Sequence, residues 1–377
     1  MFTRRVAPLL VTVLASVSLV AGCQTDTSTN PSSFTVTATR AAVAARTRGT
    51  HLADNFGPMG YSVMTGEVFG NRKTASGAYN TVAIEVGDPS AVRSVTQGNA
   101  RFGDEDTHRS VSDVSPDGRY LLLEVERPSH FPCFTPACAH ADEAGPGRGA
   151  YNQVWLATVD GEHAWQLSDI DADGGLGSFW ARFDTTGTRV VFSEIMQPAG
   201  WPEYFGGEQL VVSTISWTNG VPHLTNRIDL GNGIQFFEPF GFDPTGTAVI
   251  ASSDVLTPGD PAKARILRFP IDGSAPTPLT SALGDGWQEF AFLRPDKTGY
   301  VVSSGYNGWI GGVDRWLVRA AAPHIEPARV THFADYKTGN PQAGISGGMA
   351  FIDNDRAVVG FTQHGVENAY LVAVPAS

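Results

Sequence analysis

From residue 110 onward the chain repeats one pattern: an apolar strand, a tight polar turn and a second apolar strand. It reads SVSDVSPDGRYLLLEVE from Ser110, WARFDTTGTRVVFSE from Trp180, EPFGFDPTGTAVIASSD from Glu238, EFAFLRPDKTGYVVSSG from Glu289 and GMAFIDNDRAVVGFT from Gly348. The Pro, Asp and Gly between the runs preset or tolerate the backbone angles of a hairpin turn. The near-continuous apolar flanks predict strands covered on both faces. A second pattern accompanies the first: VAIEVGDPSAVRSVTQ from Val82, VWLATVDGEHAWQLS from Val154, LVVSTISWTNGVPHLTN from Leu210, ILRFPIDGSAPTPLTS from Ile266 and WLVRAAAPHIEPARVTH from Trp316. Its closing apolar residues are Val95, Leu167, Leu224, Leu279 and Val330, spaced by 72 residues and then by 57, 55 and 51.

Four short strands in each unit of about 50 residues predict the blades of a β-propeller. Five blades are well marked, and a sixth is expected within residues 51–97. The last copy, YLVAVPAS from Tyr370, ends at its third strand, while SFTVTATRA, Ser33 to Ala41, is an apolar-alternating strand with no neighbour in sequence. The expected fold is therefore all-β: a six-bladed β-propeller of four-stranded antiparallel blades, closed by this N-terminal strand. The pieces SPDGRYLLLEVE, FDPTGTAVIASSD and IDGSAPTPLTS resemble blades of the TolB-type, WD40-like propellers. The turns Thr185-Thr186-Gly187 and Asn354-Asp355 depart from that pattern. The resemblance implies a fold; propellers host unrelated functions, so it implies no particular reaction.

The N-terminus gives an address. Arg4 and Arg5 precede an apolar run from Val6 to Val20, then Ala21-Gly22-Cys23. This is an export signal, since the run is shorter than the roughly 20 residues of a membrane-crossing helix. The cysteine after Val20-Ala21-Gly22 resembles the lipobox of bacterial lipoproteins, which implies cleavage before Cys23 and its lipidation. Residues 24–33, QTDTSTNPSS, are polar and lack periodicity, as suits a tether. The division expected is a signal peptide over 1–22, a tether over 23–33 and one propeller domain over 34–377. The body is then exported and lipid-anchored to the cell membrane or outer membrane.

Composition narrows the partners. The 377 residues carry a net charge of -12, and -14 once Arg4 and Arg5 are removed, which disfavours nucleic acid. The 42 Gly and 24 Pro fit many turns, and with 17% charged residues they favour an all-β chain over a helical one.

Candidate chemistry is sparse. Cys133 and Cys138 lie in SHFPCFTPACAH, the insertion between the second and third strands of the second blade. Export favours a disulfide between them; the alternatives are a metal site with His130 and His140, or free thiols. Asp169, Asp171 and Asp173 match the first half of a calcium loop, but Trp180 stands where the bidentate carboxylate belongs, so a solvated acidic turn competes with calcium. No nucleophile elbow, H-E-x-x-H or phosphate loop appears, and no cofactor is expected.

Aromatic and acidic residues cluster instead on predicted loops of one rim. Trp180, Phe236, Phe237 and Trp287 sit between blades with Glu238 and Glu289 beside them, and Trp201, Tyr204, Phe205, Tyr306 and Trp309 fall in inner loops. Such loops carry binding more often than cores do, although any one ring can equally fill space between blades. Two functions stay open: a monomeric binding or scaffolding module for an envelope protein or glycan, and a carbohydrate hydrolase or lyase with Glu238 and Glu289 as acid and base. The second requires the carboxyls at a separation of roughly 5 to 10 Å.

Overall fold

The computed structural model describes residues 49–75, 77–102, 107–127, 151–170, 176–197, 207–258, 263–284, 288–304, 314–332, 344–363 and 366–376. These residues form a six-bladed β-propeller of four-stranded antiparallel blades. Blade 1 comprises β2 (Gly57–Tyr61), β3 (Glu67–Lys73), β4 (Tyr79–Glu85) and β5 (Val92–Ser94); blade 2 comprises β6 (Arg109–Val114), β7 (Tyr120–Glu126), β8 (Asn152–Thr158) and β9 (Ala164–Gln166). One parallel bridge, Asn80 to Arg109, joins these two sheets. Blade 3 runs through β10 (Gly177–Phe183), β11 (Arg189–Gln197), β12 (Gly207–Thr218) and β13 (Val221–Gln235). Blade 4 is β14 (Phe237–Phe242), β15 (Ala248–Ser253), β16 (Arg265–Pro270) and β17 (Thr277–Pro278), and blade 5 is β18 (Gln288–Leu293), β19 (Gly299–Ser304), β20 (Asp314–Arg319) and β21 (Ala328–Arg329).

Blade 6 contains β22 (Gly344–Phe351), β23 (Arg356–Gln363) and β24 (Val366–Ala373), and it borrows its fourth strand, β1 (Gly49–Ala53), from the N-terminal side. The ring thus closes by strand exchange between the chain's two ends, but through residues 49–53. The strand expected over Ser33 to Ala41 lies outside the described residues. Residues 51–53, expected in the first blade, belong instead to this closing strand, GTHLA, which is only five residues long. Its pairing with β24, Gly49 to Val372 through Ala53 to Ala369, supplies the order that its own sequence does not.

The predicted hairpin turns hold through their own polar side chains. Asp184 Oδ1 accepts from the backbone N–H groups of Thr188 at 3.0 Å and Arg189 at 3.2 Å, and Asp243 Oδ1 accepts from Thr247 at 2.8 Å and Ala248 at 3.1 Å. In blade 2 the Ser115 hydroxyl does the same for Tyr120 at 2.9 Å. Each turn then needs a left-handed residue, supplied by Gly118, Gly187 and Gly246 with φ of 74, 71 and 68°. Glycine meets that demand without a Cβ penalty.

Neighbouring blades are stitched by side chains of the second or third strand that reach the next inner strand. Asn71 accepts from Val111 N at 2.7 Å and donates to Val111 O at 3.0 Å. Glu124 accepts from Trp180 N at 2.7 Å, Ser193 donates to Phe237 O at 2.6 Å, and Ser252 donates to Gln288 O at 3.0 Å. Arg315 donates to Gly348 O at 3.1 Å. Satisfying inner-strand groups from the neighbouring blade avoids the cost of burying them unpaired. Apolar residues of adjacent sheets fill the wedges between, for example Leu122, Val154, Ala181 and Phe192 where blades 2 and 3 meet.

Candidate functional site

All six inner strands carry a register break near their middle, between Pro58 and Gly60, Val111 and Asp113, Phe179 and Arg182, Pro239 and Gly241, Glu289 and Ala291, and Ile345 and Met349. A bulge re-aims the side chains beside it. At two breaks the backbone turns left-handed on a bulky residue, Trp180 with φ 53° and Phe290 with φ 55°. That conformation is uncommon for large side chains and persists only where packing enforces it.

The packing is plain at this level. Trp180, Phe240 and Phe290 from blades 3, 4 and 5 form a triangle, with ring centroids 6.1, 5.7 and 5.6 Å apart and interplanar angles near 60°. Phe290 packs against three separate blade cores, so it sits where they converge on the axis. Beside the triangle, Arg182 lies 5.1 Å from the Trp180 ring and 5.7 Å from Phe292, while Arg315 is 5.4 Å from Phe292. Among the described residues, rings and guanidinium groups of blades 3, 4 and 5 pack together at this level.

Glu238 and Glu289 occupy matching positions on β14 and β18, paired across their blades with Ser252 and Ser303. The structure brings them close enough for each carboxyl to act on the other's proton. Two acids so placed resist ionising together, which favours one proton held between them. Burial pushes Glu238 well above the carboxylate range; the charges of Glu289 and Glu208 add to that, and the Trp180 side chain opposes it. Burial likewise raises Glu289, against the hydrogen bond from Glu238. Around them, burial lifts Glu124 to about 7 and Asp113 to about 6, opposed in both by Arg182 and by backbone N–H donors. Arg182 is the cation that balances Asp113, Glu124 and Glu238, and it also donates to Ser112 O.

This geometry bears directly on acid–base chemistry. An acid–base pair for glycoside cleavage stands roughly 5 Å or more apart, with a glycosidic oxygen or an activated water between. Glu238 and Glu289, expected as such a pair across the funnel, sit beside each other on adjacent inner strands. The described aromatic candidates are buried. Trp180 is 5% exposed and Phe237 fully buried, the latter against Phe269 at 5.5 Å, and Phe236 is buried too. They belong to inner strands or their edges and not to an exposed rim, because the bulge turns Trp180 inward.

Trp201, Tyr204, Phe205, Trp287, Tyr306 and Trp309 lie outside the described residues, as do Cys23, Cys133, Cys138, His130, His140, Asp171 and Asp173. Asp169 is exposed and paired with Arg127. Among the described residues no group of three His, Cys, Asp or Glu side chains is placed to hold a metal ion, and no helix is long and apolar enough to cross a membrane.

One aromatic cluster was not anticipated. Trp217, at the end of β12, meets Trp165 of β9 edge-on at 5.5 Å and Tyr120 of β7 at 5.6 Å, and His163 stacks on Trp165 at 5.8 Å and 11°. Trp217 is 45% exposed. Its sequence signal was the Asn219-Gly220 pair, a two-residue hairpin turn that leaves a tryptophan near the tip.

The chain matches no family model and no curated protein. Among solved structures it is similar to a protein described as TolB from Agrobacterium tumefaciens, at 15% identity over 86% of this chain and 91% of that one, with a TM-score of 0.49. TolB from Acinetobacter baumannii is 12% identical over 90% and 69% of the two chains, with a TM-score of 0.45. An oligogalacturonate lyase in complex with manganese is 12% identical over 86% and 90%, with a TM-score of 0.46. The propeller stands on its own sheet order and strand register.

Proposed function

We propose that this chain is a β-propeller binding module of the cell envelope, exported and held to a membrane through a lipid on Cys23, that engages a protein or glycan partner with its surface. The observation that supports this reading best is the packing beside the acids: Trp180, Phe240 and Phe290 pack on one another, and Glu238 and Glu289 hold each other's protons on adjacent inner strands. A hydrolase or lyase needs its acid and base free to flank a substrate bond. The convergence of two buried, proton-holding carboxyls favours a second reading, a hydrolase or lyase in which substrate parts the pair.

Turnover of polysaccharides and glycosides by the full chain, beside Glu238→Gln and Glu289→Gln, separates the two. The binding reading expects no carboxylate-dependent turnover; hydrolysis or elimination abolished by either variant overturns it. Cys23→Ser should move the chain from the membrane to the soluble fraction. Retention at the membrane would remove the anchor from the account.

A further inference from the structure

The seam between blades 2 and 3 combines two features that the inner-strand chemistry leaves unused. The first is the ladder of His163, Trp165, Trp217 and Tyr120 described above. The second is a cavity of about 290 Å³ lined by Leu167, Ser168, Asp169, Glu194, Leu224 and Arg227 among others. They are contiguous. Leu224 lines the cavity and also packs with Tyr120 and Trp165 in one apolar cluster, while Trp165 and Asp169 are four residues apart on one strand and its extension. An extended chain covers at most about 14 Å in that distance, the scale of a short oligomer.

We infer that this seam is a binding site for an uncharged oligosaccharide, lying with a ring face on the half-exposed Trp217 and its hydroxyls in the Ser168–Arg227 cavity. This rests on the binding-module reading and names its surface and ligand class. The charges in the cavity and those paired with them select against anionic ligands. Arg227 forks onto Glu194 at 2.7 and 2.6 Å and also reaches Asp229 at 2.7 Å, and Arg127 is paired with Asp169. Both cations are therefore committed, and Asp169, Glu194 and Asp229 outnumber them. A phosphate or uronate would gain no cation and would meet excess negative charge.

Hydroxyl groups, by contrast, can donate to the outer lone pairs of these carboxylates without separating a pair. The rings supply what a sugar's C–H face needs: rigid, half-exposed indole surface with little conformational freedom to lose. An extended peptide fits less well. The outer edge of β13, where a strand would add, carries Pro222 and a left-handed Asn226 with φ 52°, and both interrupt a ladder.

The test is titration of the full chain with neutral tetrasaccharides of glucose and of N-acetylglucosamine, and with a tetragalacturonate as the charged counterpart, read by tryptophan fluorescence and calorimetry. The site predicts that at least one neutral tetramer binds, that tetragalacturonate binds at least tenfold more weakly, and that Trp217→Ala weakens the neutral ligand at least tenfold. Trp217 also pins the β12–β13 hairpin, so Trp217→Phe serves as the conservative variant and should fall between the two. Unfolding curves of both variants confirm that the blade is intact. Neutral binding that survives Trp217→Ala, or no neutral binding at all, overturns the seam site. Neither result touches the binding-module reading, which carboxylate-dependent turnover alone would overturn.

Discussion

Two sets of carboxylates in this propeller are driven in opposite directions. At the hairpin turns, partial burial works against the charge of Asp184 and Asp243. Threonine hydroxyls, arginine side chains and backbone N–H donors outweigh it, and both acids are held below the usual carboxylate range. Glu238 and Glu289 on inner strands and Glu124 on β7 have the same chemistry but few donors, so burial wins and all three are raised. The contrast shows which acids hold the fold and which are stored in it. A lowered acid adds stability that is present above its unfolded pKa, about 3.9 for Asp, and lost as the pH falls through the folded value. A raised acid does the reverse. The folded state holds a proton that the unfolded chain releases above about 4.3, so stability erodes as the pH rises from there through the folded value.

Removing the cation that Asp113, Glu124 and Glu238 surround should give the largest effect. Arg182→Leu leaves Asp113, Glu124 and Glu238 around an apolar side chain, and should cost about 3 to 5 kcal/mol at pH 7 by urea denaturation. The loss should shrink at pH 5, where those acids hold protons. An equal loss at both values would mean that Arg182 acts by packing on Trp180 and Phe292 alone. Next comes a turn acid. Asp243→Ala removes the acceptor for Thr247 N, Ala248 N and Arg268, and should cost about 2 kcal/mol. That cost should be the same at pH 6 and pH 8, because this carboxylate is ionised throughout. The smallest change is Glu124→Gln, which keeps an acceptor for Trp180 N while deleting the charge. It should gain on the order of 1 kcal/mol at pH 8 and nothing at pH 5, as measured by denaturation midpoints.

Much of the fold was legible because each blade repeats its turn chemistry: Ser115, Asp184 and Asp243 all stand where the turn's N–H groups converge. The matching placement of two acids follows from the same repeat. Glu238 and Glu289 are one repeat apart and so occupy the same place in adjacent blades. What escaped reading was set by tertiary packing. The inner strand of blade 1, GPMGY, has no apolar run, since a side chain at Gly60 would meet Val114 Cγ2 at 2.4 Å. Trp180 looked like a loop anchor, because a bulge with positive φ has no single-residue signature. The Trp217 ladder was hidden because its rings come from strands of two blades, far apart in sequence.

The account turns on Glu238 and Glu289 holding protons above the usual carboxylate range, and thermal unfolding against pH tests that most directly. Between pH 5.5 and 8 the wild-type midpoint should fall by a few degrees, and the double variant Glu238→Gln, Glu289→Gln should fall along a shallower slope and lie higher at pH 8. A wild-type midpoint that is flat or rises over this range would contradict it: the two carboxyls would then be ionised in the folded state and available for acid–base chemistry.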